Sequence, residues 1–185
     1  MFVTTMGIAQ IDSEHLKLGA TAPAIKGQDQ YGKMINSEDI LKSQDILLIF
    51  YRGNWCPHCN KHLSSLQSHL KEFQEKGVFV VVVTPEKLEK TIETAEMYDN
   101  EFSIIHDSNN TIMLDYKVAF EVNQETVPGY YEKLNKRLED YNVDSNVLPV
   151  PATYFIDRSG KITYVHHDPD YKKRSDLSEI LALLN

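Results

Sequence analysis

Cysteine is scarce in this chain: its 185 residues include two, at positions 56 and 59. With one close pair and no others, disulfides are not what holds the fold together. No apolar run approaches the length of a membrane span, so no membrane partner is expected. No internal repeat or low-complexity tract is visible. Positive charge is in short supply as well. Nineteen Lys and Arg stand against 27 Asp and Glu, a formal net charge of −8, with no basic cluster among them. That balance argues against nucleic acid as a partner. The start, Met1-Phe2-Val3-Thr4-Thr5-Met6-Gly7, lacks a basic region followed by an apolar core. A cytoplasmic location is therefore the expectation.

What remains is ordinary in amount and particular in order. The apolar share is 42%, and the length suits a single domain over residues 1–185 with a sizeable core. Residues 1–17 read as an arm or short helix. Gln28–Lys33 has the polar and glycine content of a hairpin turn, and Ser37–Leu41 starts like a capped helix. Ile46–Phe50 is a buried strand, followed by a long helix over Pro57–Lys76 that Gly77 ends. Val78–Thr84 is the most apolar run and is rich in valine, as a central parallel strand should be. Further elements are expected at Leu88–Asp99 (helix), Phe102–His106 (strand) and Asn110–Lys117 (helix). Residues 123–146 read as a polar insertion with a helical piece at Tyr131–Tyr141. Strands at Ala152–Asp157 and Lys161–His166, joined by a tight turn, and a helix at Asp176–Leu184 complete the chain. The order fits an α/β sheet of mixed direction with helices on both faces.

Both cysteines lie where the buried strand becomes the long helix, in Phe50-Tyr51-Arg52-Gly53-Asn54-Trp55-Cys56-Pro57-His58-Cys59. Near a helix N-terminus the unpaired N–H groups and the helix dipole favour a thiolate at Cys56. A second thiol two residues on can close a disulfide with it, which points to redox chemistry. A structural staple over so short a loop constrains the unfolded chain little. A metal site, zinc or copper, would need ligands beyond Cys56 and Cys59, such as His62 or His166. No cofactor other than the cysteine pair is implied.

This motif resembles the thioredoxin superfamily. It is similar in particular to the peroxiredoxin-like alkyl hydroperoxide reductase/thiol-specific antioxidant (redoxin) branch. The likeness extends from Leu18-Gly19 and Ala22-Pro23 to Val150-Pro151-Ala152-Thr153-Tyr154-Phe155-Ile156-Asp157 and on to Asp168-Pro169-Asp170-Tyr171 and Arg174. It implies a thioredoxin-like fold with a cis proline at Pro151. The backbone of Val150 would then pair with an extended substrate chain beside Cys56. A trans proline that only starts a strand is the plainer alternative.

Three departures weigh between exchange and peroxide reduction. Where typical peroxiredoxins carry Thr or Ser three residues before the reactive cysteine, this chain has Gly53. Where they carry Pro four residues earlier still, it has Ile49. Their late-strand Arg is replaced by Pro151. The missing groups are those that hold and polarise a peroxide, and Arg52 is the candidate to stand in for them. The likeness to thioredoxins has gaps too. Phe50 takes the place of a buried Asp, and His62 that of a Glu found in membrane-tethered relatives.

The resulting expectation is a thiol–disulfide oxidoreductase. Cys56 attacks a disulfide, Cys59 resolves the mixed disulfide, and an external thiol reductant resets the pair. The substrate is a protein or small-molecule disulfide. Protonated His58 would favour the Cys56 thiolate, and His62 would take the Cys59 proton unless it is merely a partly exposed helix histidine. Trp55, with Val150 and Pro151, would contact the substrate, although packing explains Trp55 equally. The alternatives are a thiol peroxidase, with Cys56 peroxidatic and Cys59 resolving, and a non-enzymatic metal carrier. Tyr130-Tyr131 and His166-His167 carry no assigned chemistry, and Asp168, Asp170 and Arg174 read as a turn held by local charge pairs.

Overall fold

The computed structural model describes residues 15–99, 101–143 and 146–184, so most of the expected N-terminal arm lies outside the described residues. The chain opens with a hairpin, β1 (Lys26–Gln28) and β2 (Met34–Asn36), paired antiparallel around the expected turn. A short helix, α1 (Ser37–Ile40), follows, its N-terminus capped by the Asn36 side chain. Then come β3 (Asp45–Phe50), α2 (Pro57–Glu75), β4 (Val78–Thr84), α3 (Leu88–Tyr98), β5 (Ser103–His106) and α4 (Thr111–Asp115). The last third holds β6 (Ala119–Glu121), α5 (Tyr131–Tyr141), β7 (Val147–Pro149), β8 (Ala152–Ile156), β9 (Ile162–His167) and α6 (Leu177–Leu183).

Five strands form the central sheet in the order β5-β4-β3-β8-β9. β3 and β4 run parallel, as do β4 and β5, while β8 and β9 are antiparallel additions. The mixed sheet follows from the connections. Each early strand returns through a helix, which forces parallel pairing, and the tight turn at Arg158-Ser159-Gly160 forces antiparallel pairing.

The continuous apolar run of β3 is explained by burial on both faces. Leu47 and Ile49 pack with Leu63, Leu66, Leu70 and Phe73 of α2 and with Leu177, Ile180 and Leu181 of α6. Ile46, Leu48 and Phe50 point the other way, against Ile112, Met113 and Tyr116. The one-sided stripe read in the α2 sequence is the face that meets the sheet. Burying each such side chain is worth roughly 2 kcal/mol.

The insertion is closed at its base by a ribbon the sequence did not announce, β6 paired antiparallel with β7. Above it Leu134 and Leu138 of α5 join Val122 and Leu148 in a small third core, and Trp55 packs against that core. The ribbon also overturns one expectation. No cis peptide bond occurs among the described residues, so the Val150–Pro151 bond is trans. The Val150 N–H donates to Val118 O at 2.8 Å. It extends the pairing of the ribbon and is not left for a substrate chain.

Candidate active site

β3 carries the chain to the sheet's C-terminal edge, and Tyr51 N–H still donates to Val83 O. The next residues must turn sharply into α2. Gly53 makes that turn at φ +142°, where a side chain is strained, and a Cβ there would stand 2.7 Å from Glu86 Oε1. A threonine or serine would be strained in this turn. The turn is pinned by Glu86. Its carboxyl accepts the Asn54 N–H at 2.9 Å and the Tyr51 hydroxyl at 2.6 Å. Asn60 Nδ2 donates to Asn54 O at 2.7 Å and closes the loop onto α2.

Glu86 is fully buried. Burial pushes its carboxyl up to about 7, against the pull of the Tyr51 and Asn54 bonds. Sequence reasoning passed over this residue and Tyr51. A signal existed: Glu86 follows the end of β4, and residues at the carboxyl ends of sheet strands are the ones that gather at sites.

Cys56 is the residue before the first turn of α2, and Pro57 opens the helix. Both cysteines are free thiols and both are buried. The neighbouring Cys59 thiol, outweighing the burial that pushes the other way, holds Cys56 down at about 5. The Cys59 backbone N–H and the positive charges of Arg52 and Arg174 add to that. Cys59 moves in the opposite direction, because burial and the adjacent Cys56 both resist a second negative charge. One sulfur is poised as thiolate and the other as thiol.

Access is one-sided. Cys56 lines a pocket of about 360 Å³ with Arg52, Trp55, His58, Arg137 and Tyr171 among its walls. Cys59 does not line it and has no exposed surface. Arg52 is 6% exposed and lies between two rings, 5.2 Å from the Trp55 centroid and 5.0 Å from that of Tyr171. His58 lines the same pocket and meets Tyr171 edge-on at 5.7 Å.

Behind the pair, Arg174 Nη2 donates to Cys59 Sγ at 3.3 Å. Its other nitrogen, Nη1, donates to the carbonyls of Tyr171 and Lys173. The expected local charge turn holds for Asp168 and Asp170, which accept backbone N–H groups two residues on, and for the Lys173–Asp168 pair at 3.1 Å. Arg174 holds the turn through those carbonyls rather than through a charge pair, and it reaches the Cys59 sulfur as well.

His62 also departs from both readings of it. It is 6% exposed rather than half open, and its Nε2 meets Ser175 Oγ at 3.2 Å, which in turn meets Thr153 at 2.9 Å. Burial, with Arg174 and His166 nearby, pushes it down to about 4. So weak a base is poorly matched to taking the proton of a thiol whose own pKa is raised. His166 belongs to the same surroundings, and burial lowers it too. Among the described residues no three His, Cys, Asp or Glu gather at metal-binding distance. Two guanidinium groups beside the sulfurs oppose a cation there.

The sequence profile of the AhpC/TSA family matches residues 18–165. The chain belongs to that family. Among its relatives, the thiol-disulfide oxidoreductase ResA of Bacillus cereus is 24% identical over 152 residues, covering 82% of this chain and 70% of its own. A putative peroxiredoxin of Coxiella burnetii, bcp, is 22% identical over 169 residues, covering 91% of this chain and 99% of its own. The crystal structure of peroxidoxin BcpB from Mycobacterium tuberculosis matches with a TM-score of 0.70 at 20% identity, covering 92% of this chain and 97% of that one. These AhpC/TSA-type likenesses agree with the thioredoxin-like fold and with the two close cysteines. The protein is a thiol-based oxidoreductase.

Proposed function

We propose that this AhpC/TSA protein is a thiol–disulfide oxidoreductase that reduces disulfides through the Cys56/Cys59 pair. The observation that carries the reading is the division of labour between the sulfurs. Cys56, held down at about 5, opens on the pocket, and Cys59, held up, is sealed behind it. In the first step the Cys56 thiolate attacks one sulfur of a substrate disulfide, forming a Cys56 mixed disulfide and releasing the other half as a thiolate. That leaving thiolate takes the Cys59 proton. The new Cys59 thiolate, steadied by Arg174 Nη2, attacks Cys56 Sγ. The Cys56–Cys59 disulfide closes and the second half leaves as thiolate. The protein has lost two electrons and the substrate has gained them. An external thiol, as a cytoplasmic setting would supply, returns the pair to its starting state.

This sequence of steps uses no proton acceptor other than the leaving group, so His62 is given no part in it. His58, when protonated, adds to the positive field that favours the Cys56 thiolate. Trp55 and Tyr171 hold Arg52 in place beside Cys56.

One observation favours a second reading, thiol peroxidase. Arg52 stands beside Cys56 with its Nε unpartnered, the type of donor that steadies a peroxide oxygen. There the Cys56 thiolate would take one peroxide oxygen as sulfenic acid, and Cys59 would displace water to close the same disulfide. Rapid mixing of reduced protein with hydrogen peroxide and, separately, with insulin or a small disulfide discriminates. Fast disulfide exchange with slow peroxide consumption supports the first reading, and the reverse order replaces it with the second.

A further inference from the structure

The pocket beside Cys56 has an unusual charge for this chain. Acidic residues outnumber basic ones, yet no aspartate or glutamate lines it. Instead two guanidinium groups lie over the Trp55 ring. Arg52 Cζ lies 5.2 Å and Arg137 Cζ 5.7 Å from the Trp55 centroid. Among the described residues neither makes a hydrogen bond or ion pair with a carboxylate. Arg52 is more than nine-tenths buried, and its Nε has no partner. The Cys56 thiolate balances part of the Arg52 charge, but the buried Nε is a donor that only a group from outside the chain is left to meet. The remaining wall, Val127, Pro128 and Leu134 from the insertion, is apolar.

Resting on the exchange reading above, we propose that the pocket selects small disulfides that carry a carboxylate. The carboxylate meets Arg137 and Arg52, and the carbon skeleton lies on the insertion wall with its S–S bond against Cys56. Arg pairs suit a planar carboxylate because two N–H groups can donate to its two oxygens. A small ligand is favoured over a protein chain by two features. The pocket, at about 360 Å³, is of small-molecule size. The Val150 N–H, which would pair with an added strand, is occupied by Val118 O. Arg137 comes from α5, so the insertion supplies both the apolar wall and half of the charge.

The test compares rates of oxidation of the reduced full chain by three disulfides of similar size. These are dithiodipropionate (dianion), hydroxyethyl disulfide (neutral) and cystamine (dication), each normalised to its rate with a simple free thiol. The dianion is expected to exceed the neutral compound by about tenfold, and the dication to be slowest. High salt narrows the spread. Arg137→Gln collapses the dianion-to-neutral ratio towards one, and Arg137→Lys restores part of it. A normalised order in which charge makes no difference overturns the inference while leaving the exchange reading intact. A glutamate-rich protein disulfide that outruns the dianion overturns the choice of a small ligand. Failure of all three compounds while insulin still oxidises the pair overturns this inference alone; failure of insulin as well removes the exchange reading, and this inference falls with it.

Discussion

Arg174 donates to the Cys59 sulfur across 115 residues of sequence, at 3.3 Å. The bond comes from the loop between β9 and α6, and it reaches the cysteine that the pocket does not. In the reduced pair Arg174 also adds positive charge to the field at Cys56, so one side chain acts on both sulfurs.

Replacing Arg174 by Gln should therefore raise the pKa of Cys56 above about 5. It should also slow closure of the Cys56–Cys59 bond. The ultraviolet absorbance of the thiolate, followed against pH, reports the first effect. Accumulation of mixed disulfide in a quenched reaction reports the second. A variant with an unmoved titration would remove Arg174 from the account of Cys56.

Cys59→Ser should stop the reaction at the mixed disulfide, a stable adduct on Cys56 visible by mass spectrometry. Cys56→Ser should give no adduct, because Cys59 is sealed from the pocket and its pKa is raised. An adduct on Cys59 in that variant would contradict the assigned order of attack.

The alkylation rate of Cys56 should rise as pH passes upward through about 5 and stay level from about 6 to 8. Below that midpoint the thiol form dominates and is unreactive. Continued acceleration up to pH 9 would mean an ordinary thiol.

Glu86 gives a stability prediction with a definite sign. Its carboxyl is near 4.5 unfolded and about 7 folded, so the folded state binds the proton more tightly. The stability it contributes is fully present below pH 4.5 and is lost as pH rises through 7, on the order of 3 kcal/mol. Cys56 works in the opposite sense, since its folded pKa is depressed. The comparison must therefore be Glu86→Gln against the unaltered chain in urea at pH 5 and pH 8. The variant should gain on the parent at the higher pH. Glu86→Ala should instead lose roughly 1–3 kcal/mol at pH 5, because the buried Tyr51 hydroxyl loses its acceptor.

Gly53→Ala should damage the site more than its single methyl suggests. The turn needs φ +142°, and the added carbon meets Glu86 Oε1. Lower stability together with a raised Cys56 pKa is the expected outcome, from the same urea and absorbance measurements. A fully active Gly53→Ala protein would mean that the turn relaxes freely.

Most of the fold was legible because it rests on local patterns. The apolar runs of β3 and β4 and the one-sided stripe of α2 mark burial residue by residue. Glycine at 77 and 160 marks the ends of segments. The β6–β7 ribbon was not legible, since its strands are three residues each and neither alternates clearly. Pro151 misled for a similar reason, because a trans or a cis bond is chosen by surroundings that the proline itself does not encode.

The sequence by itself determined that two thiols stand at a strand-to-helix turn in an AhpC/TSA-type α/β chain, since neighbours in sequence remain neighbours in space. Only the tertiary structure decided which charges surround them. Arg174 and Arg137 are brought in from elements far along the chain, Glu86 from the neighbouring strand, and His62 is sealed rather than exposed. Electrostatic effects depend on distance through space and on exclusion of water, and neither is written in the spacing of residues along a chain.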